Sequence, residues 1–581
     1  MTRLQKRRAR WAVALLAVLA LLAASCGGDD DDSSGAENGS DSEDTTTTGA
    51  PQTGGTLVFA EYSEPNTLDP IINSGALTGA YQMSAVYDTI MRWNPDTGEY
   101  EGRTAESLEA NDDFTVWTLK LKSGIQFTDG TPYDAEAVVF GMMRHLSGSP
   151  GQPPCAELYA CPRNSTSSNV YMQLVKSMDV VDDLTVEFTL TEPWTAFGYA
   201  LSDEAAMIPS PTAYKAACPA DGNAAQCSFA LNPVGAGPFK VSQYRVNETI
   251  KLVRNDNYYG GDVYLDGVEF LNPGDAGGDL TWEGFDAGDY DAAFLRLATS
   301  IASAEEAGVN SYSVVQQGGG LFLINMGVPV NCSGGQPAPV CTGKPDGPTP
   351  SNPPTANIKV RQAIAYAIDP AVIDERGYGG VGLPGNQILQ ESFRWYPDVD
   401  GYEYDPDRAK ELVAEAKAEG WDGSLRLLYN NSPTAQAVGL ASQTLLQAVG
   451  IQAELDTSVD TRGQINKVIV QKDFDVNGWG LAISPDDGAM AALAQNFGSK
   501  STSNRVGFAS PAVDQALSDL RAAETDEEKT EAFRTIVQAI QEEVPVLPWA
   551  AVEERIVWQD DVHGIIFNHS TSFHLDKAWI G

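Results

Sequence analysis

The chain has few histidines and few basic residues. It contains 4 His, and 37 Lys and Arg stand against 79 Asp and Glu, giving a formal net charge of -42. Such a charge repels the phosphates of nucleic acids and of anionic lipids, which argues against both as partners. An acidic surface is also a common solubility feature of secreted proteins, so the charge does not identify a ligand.

Enzyme motifs are absent as well. The sequence contains neither a GxSxG nucleophile elbow nor an HExxH zinc motif. Residues 380–385 match GxGxxG, but no strand precedes them and Pro384 interrupts them, so no dinucleotide site is predicted. We expect no cofactor and no enzyme activity. A secreted hydrolase that uses a carboxylate pair stays the alternative, because Asp and Glu are abundant.

One long apolar run, residues 11–24, follows five basic residues near the N-terminus. It is shorter than the roughly 20 residues that span a membrane, so residues 1–25 are predicted to be a signal peptide. Its end resembles the lipobox of bacterial lipoproteins, although Ala23 stands where Leu is usual. The resemblance implies that Cys26 is lipidated and anchors the protein on the extracytoplasmic face of the membrane. The alternative is an ordinary secretory signal.

Residues 26–53 lack large apolar side chains after Cys26 and are predicted to form a disordered acidic tether. Apart from Cys26, six cysteines remain, in three close pairs: Cys155 with Cys161, Cys218 with Cys227, and Cys332 with Cys341. Outside the cytosol such pairs predict local disulfides. Zinc is the competing interpretation, but neither a CxxC motif nor a spaced His pair accompanies the cysteines.

In the rest of the chain, apolar residues recur with the period of strands in some stretches and with the period of helices in others. This mixture predicts an α/β fold. Alternating or β-branched stretches predict strands, namely 55–61, 115–121, 180–190 and 249–253. Amphipathic stretches predict helices at 135–145, with Asp134 as N-cap, and at 405–419 and 526–543. More than 500 residues are too many for one core, so two or three lobes are expected.

Several motifs resemble those of the family 5 extracellular solute-binding proteins, the peptide/nickel-type receptors of ABC importers. They follow in the family's order: Gly54-Gly55-Thr56-Leu57, Glu64 to Pro70, Tyr87-Asp88-Thr89-Ile90, Trp117 to Lys122, Phe127 to Pro132 with Ala135 to Val138, Pro233 to Phe239, Arg254 to Tyr259, Val360 to Asp369, and Tyr404 to Lys410. We expect structural roles for Asp129 to Pro132, a turn, and for Pro233 to Phe239, a rigid loop.

The resemblance implies a periplasmic-binding-protein-like fold of type II, cluster C, with two lobes, an inserted domain and a two-strand hinge. Domain I would comprise 54–96, 208–325 and 545–581, domain II 97–207, and domain III 326–544. A monomeric receptor would close on its ligand and deliver it to ABC permease subunits in the membrane. A ligand-sensing or adhesion lipoprotein of the same fold is the alternative.

The resemblance also indicates the ligand site. In peptide-binding members, a Gly-Trp pair is followed three residues later by an Asp that binds the ligand's ammonium group; here the pair is Gly478-Trp479 and that position is Ala482. Trp479 and Gly480 would contact the ligand, with a plain core Trp as the alternative. Asp486 or Asp487 would replace the missing carboxylate after a small loop shift.

Two further positions complete the expected site. Lys467 stands where oligopeptide receptors have an Arg, and Asn73, Ser74 and Gly75 match a ligand-facing loop of domain I. The expected ligand is a small polar or amphipathic solute, with peptides as one candidate beside oligosaccharides and other metabolites. His563, His569 and His574 are too widely spaced for one helical face and are expected on the surface.

Overall fold

The computed structural model describes residues 50–65, 67–71, 79–146, 171–219, 227–245, 249–501 and 503–581. The predicted signal peptide, Cys26, the tether up to residue 49, and the Cys155 and Cys161 pair lie outside these ranges. Among the described residues, no helix is long and apolar enough to cross a membrane. The predicted disulfides Cys218–Cys227 and Cys332–Cys341 are both present.

The fold is the mixed α/β class predicted from the sequence. The strands are, in chain order, β1 Thr56–Ala60, β2 Met91–Asn94, β3 Glu99–Gly102, β4 Ala105–Ala110, β5 Val116–Leu121, β6 Val175–Asp182, β7 Thr185–Leu190, β8 Phe239–Arg245, β9 Thr249–Arg254, β10 Gly267–Leu271, β11 Ala292–Leu295, β12 Asn310–Ile324, β13 Pro329–Cys332, β14 Gly347–Pro350, β15 Leu383–Pro384, β16 Ser424–Asn430, β17 Gln452–Val459, β18 Val476–Trp479, β19 Val546–Trp558, β20 Val562–His563, β21 Ile566–Phe567, β22 Phe573–His574 and β23 Trp579–Ile580.

The α-helices are, in the same order, α1 Ala80–Tyr87, α2 Ala135–Met143, α3 Pro211–Ala217, α4 Asp279–Asp286, α5 Ala298–Ala307, α6 Ile358–Ala367, α7 Pro370–Tyr378, α8 Pro406–Ala418, α9 Pro433–Ala448, α10 Thr461–Ile465, α11 Gly488–Phe497, α12 Pro511–Ala522 and α13 Asp526–Glu543. A π-helical segment, Asn466–Gln471, continues α10.

Side-chain caps define where the predicted helices begin. Asp134 accepts a hydrogen bond from the Ala137 amide at the start of α2, and Asp405 caps α8 in the same way. A capping box of Thr525 and Glu528 starts α13, which has the predicted bounds. The single strand predicted at 180–190 is wrong. β6 and β7 form a hairpin there, because the Asp182 side chain accepts from the Leu184 amide and closes a turn.

One large sheet runs through the molecule, in the order β17-β16-β18-β12-β19-β11-β1-β10-β9-β8, with β15 paired to β19. A separate antiparallel sheet has the order β4-β5-β7-β6. The long strands β12 and β19 connect the two ends of the large sheet. Residues 310–316 of β12 pair with 552–558, and residues 321–323 pair with 546–548.

The pairing of β12 and β19 is interrupted between Gln316 and Gly320, where three glycines follow one another. A Cβ at Gly319 would lie 2.5 Å from Val552, and one at Gly320 would lie 2.5 Å from the Trp549 ring. The two strands therefore approach closely here only because these residues have no side chain.

Several of the sequence motifs meet around Asp88, a buried residue directly after α1. Its carboxylate accepts hydrogen bonds from Arg103 and, at 2.7 Å each, from the hydroxyls of Tyr258 and Tyr259. The Gly237 amide donates to the Val86 carbonyl at 2.9 Å, which holds the loop of residues 233–239 against the same segment. The motifs that meet at Asp88 therefore have structural roles in the core, and this includes the loop of residues 233–239.

Candidate ligand-binding cavity

A cavity of about 570 Å³ lies between chain segments that are far apart in sequence. Its lining residues come from α1, from 199–207, from β12, from 469–505 and from 554–573. A larger depression of about 1210 Å³ is more open and is lined only by residues between 352 and 475. Binding sites for small solutes are concave and enclosed, so the smaller cavity is the candidate site.

Four of the predicted site residues line this cavity: Trp479, Gly480, Ala482 and Asp486. Lys467 and Asp487 are not among the lining residues. The ammonium group of Lys467 binds Asp456 at 2.6 Å, and Asp487 accepts from the Tyr100 hydroxyl and from Lys529. Asn73, Ser74 and Gly75 lie outside the described residues.

Trp479 ends β18, which pairs with β12 so that Trp479 stands opposite Leu321. The preceding Gly478 has room only for hydrogen, because a Cβ there would lie 2.0 Å from the Tyr429 ring. This close packing fixes the strand that carries Trp479. The indole itself is half-buried and lines the cavity, beside the small residues Gly480 and Ala482.

The expectation that His569 and His574 are surface residues is wrong. They are 7% and 1% exposed, because long-range packing rather than helical spacing determines their burial. His569 Nε2 lies 2.7 Å from the Ser202 hydroxyl, and its Nδ1 lies 3.1 Å from an Asp486 oxygen. Burial alone would raise the pKa of Asp486, but the charge and hydrogen bonding of His569 outweigh it and hold this pKa below its usual range.

Two carboxyl groups, those of Glu554 and Asp203, also line the cavity. Glu554, on β19, is fully buried, and its carboxylate accepts from Gln316 at 3.2 Å and lies 3.6 Å from the Arg296 guanidinium. Asp203 accepts from the Tyr171 hydroxyl at 3.0 Å. Burial raises the pKa of both carboxyl groups. These groups add hydrogen-bonding capacity to the cavity wall.

Two cations line the cavity near Trp479. Lys472 follows the π-helical segment, and Arg505 lies with its guanidinium carbon 5.8 Å from the centre of the Trp479 ring. Burial, followed by the charge of Arg505, lowers the pKa of Lys472 to about 8. The cavity therefore presents groups of both signs, with the cations beside the indole.

Reasoning from the sequence alone missed Lys472, Arg505, Glu554 and His569. Lys472 is only five residues from the predicted Lys467, but the π-helical turn between them places the later lysine at the cavity. No sequence motif near Glu554 or His569 indicated a role in the site, because both residues lie in the C-terminal part of the chain, far from the Gly478-Trp479 motif. Their proximity to Asp486 or Gln316 is a product of the tertiary fold.

A cavity that combines charged groups of both signs with a half-buried Trp is typical of a binding site for a small solute. The chain belongs to the bacterial extracellular solute-binding proteins, family 5, whose middle-region model matches residues 99–503. It is thus a binding receptor of the ABC transporter type and not an enzyme. Family members deliver ligands to ABC permease subunits, and relatives of this chain are extracytoplasmic.

Individual relatives are similar along almost their whole length. The glutathione-binding protein GsiB of Salmonella paratyphi A is 24% identical over 532 residues, which cover 90% of this chain and 94% of GsiB. The probable D,D-dipeptide-binding periplasmic protein DdpA of Escherichia coli K12 is 25% identical over 528 residues, 88% of this chain and 91% of DdpA. A dipeptide-binding protein of Pseudoalteromonas sp. SM9913, solved with Met-Leu, shares the fold with a TM-score of 0.71 at 19% identity, covering 91% and 100% of the two chains.

Proposed function

We propose that this receptor captures a peptide or a similar small polar solute in the cavity lined by Trp479 and presents it to an ABC permease. The observation that carries the proposal is the cavity itself, because its walls combine an aromatic face with charged groups of both signs. GsiB and DdpA, named for glutathione and D,D-dipeptides, support a peptide-like ligand.

In this proposal the chain keeps the division expected from the resemblance: domain I would be 54–96, 208–325 and 545–581, domain II 97–207, and domain III 326–544. The sheet β4-β5-β7-β6 falls within domain II, and β16, β17 and β18 fall within domain III, which supports these boundaries. The hinge is the interruption of β12 at 316–320 together with the facing residues 550–552 of β19. Beyond it, the last residues of β12 already pair with β18 of domain III.

Contacts across the cleft indicate that this conformation is a closed one. The Tyr100 hydroxyl donates to Asp487 at 2.9 Å, and the Thr195 hydroxyl donates to the Ala523 carbonyl at 2.7 Å. The Ser570 amide lies 3.3 Å from an Asp486 oxygen. Ligand that bridges the two walls would add to these contacts and favour the closed form.

Ligand binding is expected to compact and stabilise the protein. With a mixture of Ala-Xaa-Ala tripeptides, small-angle scattering should report a smaller radius of gyration, and the melting temperature should rise with ligand concentration because only folded protein binds. At 100 times the dissociation constant the added stability is about 2.7 kcal/mol. Trp479→Ala should weaken binding at least roughly tenfold, the range of a buried aromatic anchor.

Trp421→Ala is the matched control for Trp479→Ala. Trp421 is also half-buried, but it lines the open depression and not the cavity, so its loss should leave the affinity unchanged. Stabilisation without compaction would argue for a rigid pocket. Equal effects of the two variants would argue against the cavity as the binding site.

Attachment to the membrane is expected to depend on Cys26. In this proposal Cys26 carries the lipid, and residues 27–53 hold the folded body away from the membrane surface. Wild-type protein should therefore fractionate with membranes, whereas Cys26→Ala should appear in the medium or periplasm. Release of both forms in equal amounts would contradict the lipid anchor.

Import and sensing differ in what happens to the ligand. If the protein serves import, uptake of the labelled ligand by cells should require the gene, and Trp479→Ala should reduce uptake in parallel with binding. Uptake that is unchanged in a deletion strain would favour the sensing role.

A further inference from the structure

Among the residues that the structure describes, Lys472 and Arg505 stand out because neither has an acidic partner, although the chain is strongly acidic. Acidic residues outnumber basic ones by 79 to 37, so most lysines and arginines can find a carboxylate nearby. Lys467 on the same segment binds Asp456, and Lys529 binds Asp487. Within the described ranges, neither Lys472 nor Arg505 forms an ion pair, and each lies at the wall of the cavity.

Local contacts position the Arg505 side chain and the Lys472 backbone. Arg505 donates to the Asn496 side chain at 2.6 Å. Lys472 has a φ of 53°, a left-handed backbone conformation that is uncommon for a residue with a side chain. Its amide donates to the Lys467 carbonyl and closes the π-helical turn. The fold therefore places two cations at the wall of one cavity, although burial disfavours a charge without a counter-ion.

An anionic group of the ligand would supply the missing counter-ion. A guanidinium offers paired donors that suit a carboxylate, and the neighbouring ammonium adds a second charge. The Trp479 ring, 5.8 Å from Arg505, provides an apolar surface directly beside the charged pair. Glu554 and Asp203 also line the cavity, but neither offers a carboxylate a cationic donor.

We infer that Lys472 and Arg505 form a carboxylate-binding subsite next to Trp479, so that the ligand is a small solute with a free carboxylate. This inference rests on the proposed function, because it assumes that the ligand occupies this cavity. A subsite of this kind would select carboxylate-bearing solutes, such as peptides, over uncharged oligosaccharides. The carboxylate of a peptide can come from its C-terminus or from an acidic side chain, and the two sources are separable by experiment.

The test measures binding of three probe sets by native mass spectrometry and calorimetry. The sets are Ala-Xaa-Ala tripeptides with free C-termini, the same tripeptides as C-terminal amides, and maltotriose. Wild-type protein should bind the free acids. Among the amides it should bind only those with an acidic Xaa, if a side-chain carboxylate can occupy the subsite. Arg505→Met and Lys472→Met should each weaken binding of the acids by roughly 10- to 100-fold, the range for a hydrogen bond to a charged group.

Lys467→Met is the control, because Lys467 binds Asp456 and does not line the cavity. It should keep wild-type affinity, and all three variants should keep the wild-type melting temperature in the absence of ligand. Amides of neutral tripeptides that bind as tightly as the acids would overturn the subsite, as would unchanged affinity of both cavity variants.

Other outcomes separate the subsite from the receptor function. If the protein binds and compacts on maltotriose but not on the free acids, the subsite is wrong and the receptor function stands. If it binds none of the three sets and shows no compaction with a cell extract, both the subsite and the proposed ligand cavity are wrong.

Discussion

Arg103→Met is expected to lower the free energy of unfolding by about 3–5 kcal/mol, because it leaves buried carboxylates without their cation. The Arg103 guanidinium binds Asp88, Asp576 at 3.0 Å and the Tyr258 hydroxyl at 2.9 Å. Asp88 and Asp576 are 1% and 4% exposed. Urea unfolding at pH 7 should show the loss.

The control for this variant is Arg408→Met, on the exposed face of α8. Arg408 pairs with Glu411 at 2.8 Å, but both side chains are largely in solvent, so the change should stay within about 0.5 kcal/mol. Similar losses for the two variants would show that the Asp88 network is not a principal source of stability.

The stabilisation that Arg103 provides should decrease at low pH. Burial alone would raise the pKa of Asp88, but the charge of Arg103 outweighs it and lowers this pKa to about 2. Since the folded pKa is below the usual value near 4, the pair stabilises the protein above pH 4 and loses this contribution as the pH falls towards 2. The difference between wild type and Arg103→Met should shrink over that window.

Asp69→Ala is also expected to lower the free energy of unfolding by about 3–5 kcal/mol. Here the substitution leaves a buried cation, Arg144, without its carboxylate. Arg144, 1% exposed, donates to both Asp69 oxygens at 2.9 and 2.8 Å. Its guanidinium also lies 3.8 Å from the Tyr214 ring, which cannot replace a carboxylate. Because this pair joins the end of α2 to the Leu68-Asp69-Pro70 motif, its loss should also loosen α2 from that segment.

Replacing both partners should cost much less than removing one. The double variant Asp69→Leu with Arg144→Met exchanges the ion pair for apolar side chains, a change that is often neutral in other proteins. Glu411→Ala provides a surface control, with an expected change within about 0.5 kcal/mol. A double variant as unstable as Asp69→Ala would indicate that packing, and not the uncompensated charge, explains the loss.

Local patterns in the sequence predicted local structure well. The capping box and amphipathic period of α13 are encoded within 20 residues, and the observed bounds agree. The motif series likewise pointed to the correct family and α/β class. The hairpin β6-β7 was missed because both of its strands are rich in apolar residues and only the Asp182 turn separates them.

The site was harder to predict because it is assembled from distant segments. The motif around Gly478-Trp479 identified four lining residues, but it gave Lys467 as the cation, whereas Lys472 lies at the cavity. His569 is buried against Ser202, which precedes it by 367 residues in the sequence. It also contacts Asp486, which is likewise distant in the sequence. No single-sequence pattern encodes such contacts.

Native mass spectrometry of the freshly purified protein tests the central claim most directly. The account predicts one bound solute per chain with a free carboxylate. Trp421→Ala and Lys467→Met should retain it at wild-type occupancy, whereas Trp479→Ala and Arg505→Met should retain clearly less. A co-purified solute that all four variants retain equally would contradict binding in this cavity.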